Sequence, residues 1–171
     1  MCEVRRRPLP RTSVHKATLL DRGPRQNYDR IVEESERIVR GFYDRFNAGD
    51  LQGAAEVYAE ECEWDFPAFG STCRTRQEVL EVCQSWKAAF PDGRVEVVNA
   101  IACDNVVVEW DSHGTWTGPL GTDAGEPNGK RFRRRGCAVT QLQAGRIVRC
   151  RDYFDRANMY GPLGLMHLVG P

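Results

Sequence analysis

The sequence has few of the residues that build metal or nucleotide sites. Its 171 residues include only three histidines, His15, His113 and His167, which are scattered along the chain. The seven cysteines form no CxxC pair and no zinc-type spacing, and the glycines form no GxGxxG segment or phosphate loop. We therefore expect neither a metal nor any other cofactor. An odd number of unpaired cysteines is typical of free thiols in a reducing compartment, which predicts a cytoplasmic protein.

Long apolar runs and net charge are also missing. No segment approaches the roughly 20 apolar residues that span a bilayer, and no apolar run follows the first basic residues as in a secretory signal. Lys plus Arg and Asp plus Glu both total 24, so the formal net charge is zero. Because no global field attracts polyanions or anionic lipids, we expect neither nucleic-acid nor membrane partners.

The positive charge that is present is concentrated at the start of the chain. Residues 1–30 carry eight basic residues against three acidic ones, with three prolines and little apolar periodicity. Such a composition is typical of disorder. We expect residues 1–28 to be a basic, disordered leader and residues 29–171 to be a single domain, as the length indicates.

Three helices are predicted in the first half of the domain. The first begins near Tyr28, ends at Gly49 and presents an apolar face formed by Ile31, Ile38, Phe42 and Phe46. Asp50 is the predicted N-cap of a short second helix. Thr75 opens a third helix with a capping box, and Pro91 follows its end.

Strands dominate the second half of the domain. We predict a short strand over 62–66, a loop over 70–74, and four strands in hairpin succession over 94–102, 106–114, 131–142 and 147–155. Residues 117–130 form a loop that can act as a rim or lid, and an apolar tail breaks at 161–162. This order predicts an α+β fold: a curved mixed or antiparallel sheet wrapped around three helices as a cone-shaped barrel with one internal cavity.

The segment GRIVRCRDYFD at 145–155 contains the strongest candidate for chemistry, Asp152. In a strand it shares one face with apolar neighbours, namely Val148, Cys150 and Phe154. A buried carboxylate needs a partner or a proton. Burial raises its pKa, while Arg149 and Arg151 on the opposite face lower it. The pattern is compatible with an acid/base in a cavity and with an edge-strand Asp paired with an Arg.

Asp65 is the second candidate catalytic carboxylate. Strict alternation puts Trp64 and Phe66 on the apolar face and Asp65 opposite, whereas a bulge before Pro67 would turn Asp65 inward. Two carboxylates with different pKa values across a pocket can divide the acid and base roles.

The aromatic residues suit a flat, polycyclic or terpenoid ligand, although ordinary core packing also accounts for each of them. The predicted substrate-binding set is Phe42, Trp64, Phe66, Trp86, Trp110, Ser112 and Phe154. A basic run predicts a solvated or dimer-facing strand rather than an anion site, and it consists of Arg131, Arg133, Arg134 and Arg135. We expect a homodimer through the exposed face of the sheet.

Five motifs resemble the SnoaL-like polyketide cyclases of the nuclear-transport-factor-2-like superfamily. They are FYDRFNAGDLQGAAEVYAEECEWDFP at 42–67, AAFPDGRVEV at 88–97, DSHGTWTGPLG at 111–121, PNGKRFRRRG at 127–136 and GRIVRCRDYFD at 145–155. The likeness covers about residues 30–168 and implies the α+β cone. It also implies that Asp152 matches the last-strand aspartate that serves these cyclases as acid/base in an intramolecular aldol closure.

The sequence departs from each branch of the superfamily that it resembles. The cyclases have a histidine on the penultimate strand, where Ala138 stands here. The limonene epoxide hydrolases activate water with an Asp in a similar RDYFD segment, but their Arg and second Asp correspond to Trp110 and Ser112. The ketosteroid isomerases place a Tyr at Phe42, one residue from Tyr43, and an acid at Ala138.

The resemblance and the pattern together predict a cofactor-independent acid/base enzyme for a small hydrophobic metabolite. Polyketide-type cyclisation with Asp152 as acid/base comes first. The alternatives are epoxide hydrolysis by water that Asp152 activates, and a non-catalytic small-molecule-binding or assembly module.

Overall fold

The fold is described from a computed structural model, which covers residues 22–121 and 123–169. Its α-helices are α1 (Arg22–Ala48), α2 (Leu51–Ala55), α3 (Arg76–Ala89) and α4 (Ala157–Leu163), and a 3₁₀ turn spans Met166–Leu168. Its strands are β1 (Tyr58–Phe66), β2 (Ser71–Thr75), β3 (Arg94–Ala102), β4 (Val106–Thr115), β5 (Arg131–Gln143) and β6 (Arg146–Phe154). None of the helices in the described ranges is both long and apolar enough to cross a membrane.

The six strands form one mixed sheet in the order β2-β1-β6-β5-β4-β3. Every neighbouring pair is antiparallel except β1 and β6, which run parallel. Irregularities in β1, β3 and β5 interrupt the pairing, and such bulges bend a strand and increase its twist. The α+β expectation is confirmed, with a curved sheet that is not closed into a barrel and with four helices instead of three.

The concave face of the sheet and the helices enclose the apolar core. From α1, Val39, Phe42, Tyr43 and Phe46 are buried, and from β4, Val106, Val108 and Trp110. The predicted apolar face of α1 was wrong at Ile31, which is 52% exposed.

The predicted caps fix where α2 and α3 begin. Asp50 accepts a hydrogen bond from the Gly53 amide (2.9 Å), and Thr75 accepts one from the Glu78 amide (3.2 Å). The Glu78 carboxylate in turn accepts from the amide of Arg74, the residue before the N-cap. Each contact satisfies a backbone donor that a helix start or its approach leaves open.

Several predicted boundaries differ from the structure, including the start of β1, which begins at Tyr58 instead of Cys62. Helix α1 begins at Arg22, so residues 22–28 of the predicted leader are helical. The rest of the predicted leader, residues 1–21, lies outside the described ranges. Residues 71–75 form β2 instead of a loop, because the short segment pairs with the end of β1. Helix α4 continues through Pro162 and ends at Gly164, whose φ of +81° suits glycine.

Candidate active site

Two neighbouring chambers lie between the helices and the concave face of the sheet. The inner chamber, about 70 Å³, is lined by Phe42, Tyr43, Phe46, Trp64, Phe66, Val82, Cys83, Trp86, Val95, Trp110, Arg134 and Asp152. The outer chamber, about 270 Å³, extends past Phe69, Phe90, Leu120, Phe154 and Tyr160. Both chambers share four wall residues, which we call the throat: Phe66, Val82, Trp86 and Arg134.

Asp152 lies in the wall of the inner chamber. It is 9% exposed, and the Trp110 indole Nε1–H donates a hydrogen bond of 2.9 Å to its Oδ1. Across the sheet, Asp152 is opposite Ala138, while Trp110 is opposite Gly136. A Cβ at Gly136 would lie 2.2 Å from Trp110 Cζ2, so the glycine leaves the space that the indole occupies. Because Gly136 and Ala138 on β5 are small, the Trp110 indole can reach the Asp152 carboxylate.

The surroundings of Asp152 raise its pKa to about 6, and desolvation by burial is the largest cause. The Arg134 guanidinium and the indole N–H groups of Trp110 and Trp64 act in the opposite direction, because they favour the charged carboxylate. A carboxyl group with this pKa is mostly ionised at neutral pH and still accepts a proton readily. Both properties are required of a general base that must later act as an acid.

The cation that acts on Asp152 differs from the two that the sequence predicted. Arg149 pairs with Glu63 (2.8 Å) and Arg151 with Asp65 (3.5 Å), both on the outer face of the sheet. The cation that lowers the pKa of Asp152 is Arg134 on β5.

Arg134 corrects the interpretation of the basic run. Its neighbours on β5, Arg133 and Arg135, are exposed and pair with Asp111 on the outer face, whereas Arg134 points inward. Its guanidinium carbon lies 4.2 Å from the centre of the Phe154 ring. Burial lowers its pKa to about 10, which leaves it protonated at neutral pH. The sequence prediction missed Arg134, although strand alternation from the buried Phe132 and Ala138 could have placed it on the inner face.

Three buried polar side-chain atoms have no hydrogen-bond partner within the described residues: Trp64 Nε1, Ser112 Oγ and Arg134 Nε. Trp64 and Arg134 line the inner chamber, and Ser112 is the cross-strand partner of Arg134. Ser112 itself is fully buried and is not among the residues that line either chamber. Because buried polar atoms are nearly always paired, two open donors in one cavity wall indicate a ligand with acceptor atoms.

Asp65 is not brought together with Asp152. Its carboxylate accepts a hydrogen bond from Thr72 Oγ1 (3.0 Å) and pairs with Arg151, and it is not among the residues lining either chamber. The irregularity in β1 falls before Trp64 and leaves Trp64 on the inner face. Asp65 therefore lies on the outer face of the sheet, as strict strand alternation predicted, and the bulge does not turn it inward.

The predicted aromatic residues do meet at the chambers. The inner chamber is lined by Phe42, Trp64, Phe66, Trp86 and Trp110, and the outer chamber by Phe66, Trp86 and Phe154. Tyr43 also lines the inner chamber, and burial and the nearby Asp152 raise its pKa well above the ordinary value. The chambers thus combine apolar ring faces with a single carboxylate and a single guanidinium.

The described residues contain no cluster of three or more His, Cys, Asp or Glu side chains able to hold a metal ion.

Several solved structures share the fold. AclR from Streptomyces galilaeus, provisionally assigned as a hydroxylase, is 18% identical with a TM-score of 0.68, over 78% of this chain and 82% of its own. IdmH from Streptomyces antibioticus, provisionally assigned as a polyketide cyclase, is 26% identical with a TM-score of 0.64, over 75% and 96%. A hypothetical protein from Catenulispora acidiphila with a ketosteroid isomerase-like fold, solved with trimethylamine, is 17% identical with a TM-score of 0.63, over 75% and 92%.

No curated protein matches the chain. Residues 39–150 match the model of the SnoaL-like domain, which is more than half of the sequence and includes β1 to β5 and most of β6. The motifs, the curved mixed sheet and this match agree, and the chain belongs to the SnoaL-like domain family of the nuclear-transport-factor-2-like fold.

Proposed function

We propose that the protein is a cofactor-independent acid/base enzyme that closes a ring in a small hydrophobic polyketide by an intramolecular aldol reaction. The observation that carries the proposal is Asp152, a carboxylate with a pKa raised to about 6 in the wall of an aromatic chamber. Membership of a family whose structural neighbours include provisional polyketide cyclases supports it. We further propose that the protein works in the cytoplasm, since its six described cysteines are all free thiols.

The proposed reaction moves one proton at a time and needs no co-reactant. Asp152 takes a proton from the carbon next to a ketone; the C–H electron pair forms the C=C bond of an enolate, and the carbonyl electrons move to oxygen. The enolate carbon then attacks a second carbonyl of the same molecule, forming the C–C bond. The new alkoxide takes the proton back from Asp152, so the carboxylate is restored.

The chambers suit this chemistry in shape. The throat residues line both the inner chamber and a larger one whose walls include Phe69, Phe90 and Phe154, and we propose that a flat ligand extends past them, outward from Asp152. Aromatic walls favour planar, conjugated molecules through ring contacts. Trp110 holds the carboxylate in place through its indole N–H.

The test is the cyclisation of 1-phenylhexane-1,5-dione, whose internal aldol reaction and loss of water give 3-phenylcyclohex-2-enone, followed by absorbance. We expect the wild-type protein to accelerate ring closure and Asp152→Asn to lower the rate by about 10²- to 10⁴-fold, the usual contribution of a general base. Glu109→Gln is the matched control, because Glu109 is an exposed carboxylate on β4, outside both chambers. Ligand binding by Asp152→Asn, followed by tryptophan fluorescence, checks that the chamber is intact.

Epoxide opening is the second candidate, and the proximity of Arg134 to Asp152 favours it, because that branch pairs an arginine with its aspartate. Hydrolysis of styrene oxide without ring closure would replace the cyclase proposal by this one. Equal ring-closure rates for wild type and Asp152→Asn would contradict both enzymes. If the protein binds both probes but converts neither, the result would support the third hypothesis, a non-catalytic binding module.

We also propose a homodimer through the outer face of the sheet. Ile101, Val107 and Val139 are direct neighbours across β3, β4 and β5, and Ile101 is 61% exposed. A row of apolar side chains on an otherwise charged face is typical of a protein–protein contact.

A further inference from the structure

The proposed ring closure leaves one requirement open, the donors for the enolate oxygen. A negative charge that develops in an apolar chamber needs preorganised hydrogen-bond donors. The histidine that the sequence comparison expected on β5 is replaced by Ala138, which is buried and offers no donor. The indole of Trp110 is already bonded to Asp152. The donors therefore have to come from other residues of the chamber wall.

We propose that the guanidinium of Arg134 and the indole N–H of Trp64 together form an oxyanion-binding pair that receives the enolate oxygen of the substrate. The inference rests on the proposed function and extends it to the substrate. The ligand is an enolisable carbonyl compound, or a phenol, whose charged oxygen lies at the throat next to its aromatic or conjugated body.

The N–H groups of Arg134 are available to a ligand, because, in the described ranges, aromatic rings rather than hydrogen-bond acceptors surround the guanidinium. Ring faces hold the guanidinium: its carbon lies 4.2 Å from the Phe154 ring centre, 5.4 Å from that of Trp110 and 6.0 Å from that of Phe132. Stacking on rings leaves the N–H groups, which lie in the plane of the guanidinium, free for an acceptor. Nε is buried and without a partner among the described residues.

Trp64 on β1, which is separated from β5 by β6 in the same sheet, supplies the second donor. Its ring is fixed between Phe42 (5.5 Å between ring centres) and Phe66 (4.6 Å). Its Nε1 is buried with no hydrogen-bond partner in the described part of the chain. The Trp64 N–H points towards Asp152 closely enough to lower its pKa, but it makes no hydrogen bond of normal geometry with the carboxylate, so the donor remains open to a ligand oxygen beside Asp152. A ligand oxygen in that space is within reach of an otherwise unsatisfied donor.

The charges of the chamber balance throughout the proposed step. Before the reaction the ionised Asp152 and the protonated Arg134 offset each other. When Asp152 takes the α-proton, the negative charge moves to the enolate oxygen and Arg134 remains its counter-ion. No uncompensated charge is created in the chamber at any stage, which avoids the large cost of burying one.

The test measures oxyanion binding without turnover. The probe is 4-nitrophenol, whose ionised form absorbs at longer wavelength, and 4-nitroanisole is the uncharged control of similar shape. We expect the wild-type protein to bind the phenolate and lower the apparent pKa of the bound phenol. Arg134→Met should weaken phenolate binding by about 10- to 100-fold, as expected for a hydrogen bond to a charged group, and Trp64→Phe by about 3- to 10-fold.

Matched variants separate a local effect from misfolding. Arg135→Met, on the same strand but facing outward, should bind the phenolate like wild type. Arg134→Lys keeps the charge without the planar donors and should restore part of the affinity. Each variant should bind 4-nitroanisole as wild type does, which reports an intact chamber.

The outcome is independent of the cyclase test. Equal phenolate affinity in wild type and Arg134→Met, with 4-nitroanisole binding unchanged, would overturn the oxyanion pair even if Asp152→Asn abolishes ring closure. Conversely, Asp152→Asn should retain or strengthen phenolate binding, because it removes the one negative charge of the chamber wall. If Asp152→Asn still closes rings, the proposed function fails while the anion site stands.

Discussion

The proposed function needs Asp152 as an ionised base, whereas the stability of the fold favours its protonated form, because the side chain is buried. Its pKa of about 6 in the folded protein is about two units above the ordinary aspartate value of about 3.9. The folded state therefore holds the proton more tightly than the unfolded chain does. Its contribution to stability is fully present below pH 4 and is lost as the pH rises to about 6.

Asp152→Asn should therefore stabilise the protein at pH 7, by up to about 3 kcal/mol, because the amide resembles the protonated acid and avoids the buried charge. The advantage should shrink to about half at pH 5, where much of the wild-type carboxyl is protonated. Urea unfolding at the two pH values measures the difference. A variant less stable than wild type at pH 7 would show that Asp152 is well compensated by its partners.

Two tryptophans of the chamber wall, Trp110 on β4 and Trp86 on α3, occupy space that a glycine leaves open. Gly136 on β5 lies against the Trp110 indole, and a Cβ added at Gly93, just before β3, would lie 2.1 Å from Cζ3 of Trp86. Each glycine thus determines the position of a tryptophan that lines the inner chamber. The pair Gly136 and Ala138 leaves the volume that Trp110 fills above Asp152.

Gly136→Ala should push the Trp110 indole away from Asp152, because the new Cβ would also lie 2.6 Å from the Tyr153 carbonyl oxygen, which cannot yield easily. We expect a loss of about 1–3 kcal/mol of unfolding free energy, the usual cost of overpacking. The comparison is Gly41→Ala in α1, where nothing lies within 4 Å and alanine favours the helix by roughly 0.5–1 kcal/mol. Equal effects of the two substitutions would exclude the steric argument.

At the same scale, the sequence was informative wherever an element was long and regular. Alternation predicted β3 to β6 closely, and it placed Asp152 and the strand aromatic residues Trp64, Phe66, Trp110 and Phe154 on the inner face, while helical periodicity placed Phe42 and Trp86 there. It missed β2, whose five residues are too few for a periodic signal. It also missed Arg134, because neighbouring arginines on both faces of β5 resemble one solvated run.

Contacts between segments that are distant along the chain could not be predicted from local sequence patterns. The parallel pairing of β1 with β6 aligns Trp64 with Cys150, two residues from Asp152, although the paired residues are 86 or more positions apart along the chain. That pairing brings the Trp64 donor to the carboxylate, and no local pattern encodes it. The same pairing explains why Arg149 and Arg151 are occupied by Glu63 and Asp65.

At the scale of the whole molecule, the proposed dimer leaves the chambers free, because they lie on the opposite side of the sheet from Val139. Sedimentation equilibrium should give twice the chain mass of 19.4 kDa for wild type. Val139→Asp should shift it towards the single-chain mass, since a charge would face its symmetry mate in an apolar contact. A wild-type protein of single-chain mass would contradict the dimer and leave the chamber chemistry untouched.

The central claim is that the Asp152 carboxylate removes a proton from the carbon next to a ketone. The most direct measurement is the exchange of the α-protons of 2-tetralone for deuterium in D₂O, followed by NMR with wild type, Asp152→Asn and Glu109→Gln. The account predicts rapid exchange with wild type and with Glu109→Gln, and exchange at the buffer rate with Asp152→Asn. Enzyme-catalysed exchange that persists in Asp152→Asn would contradict it.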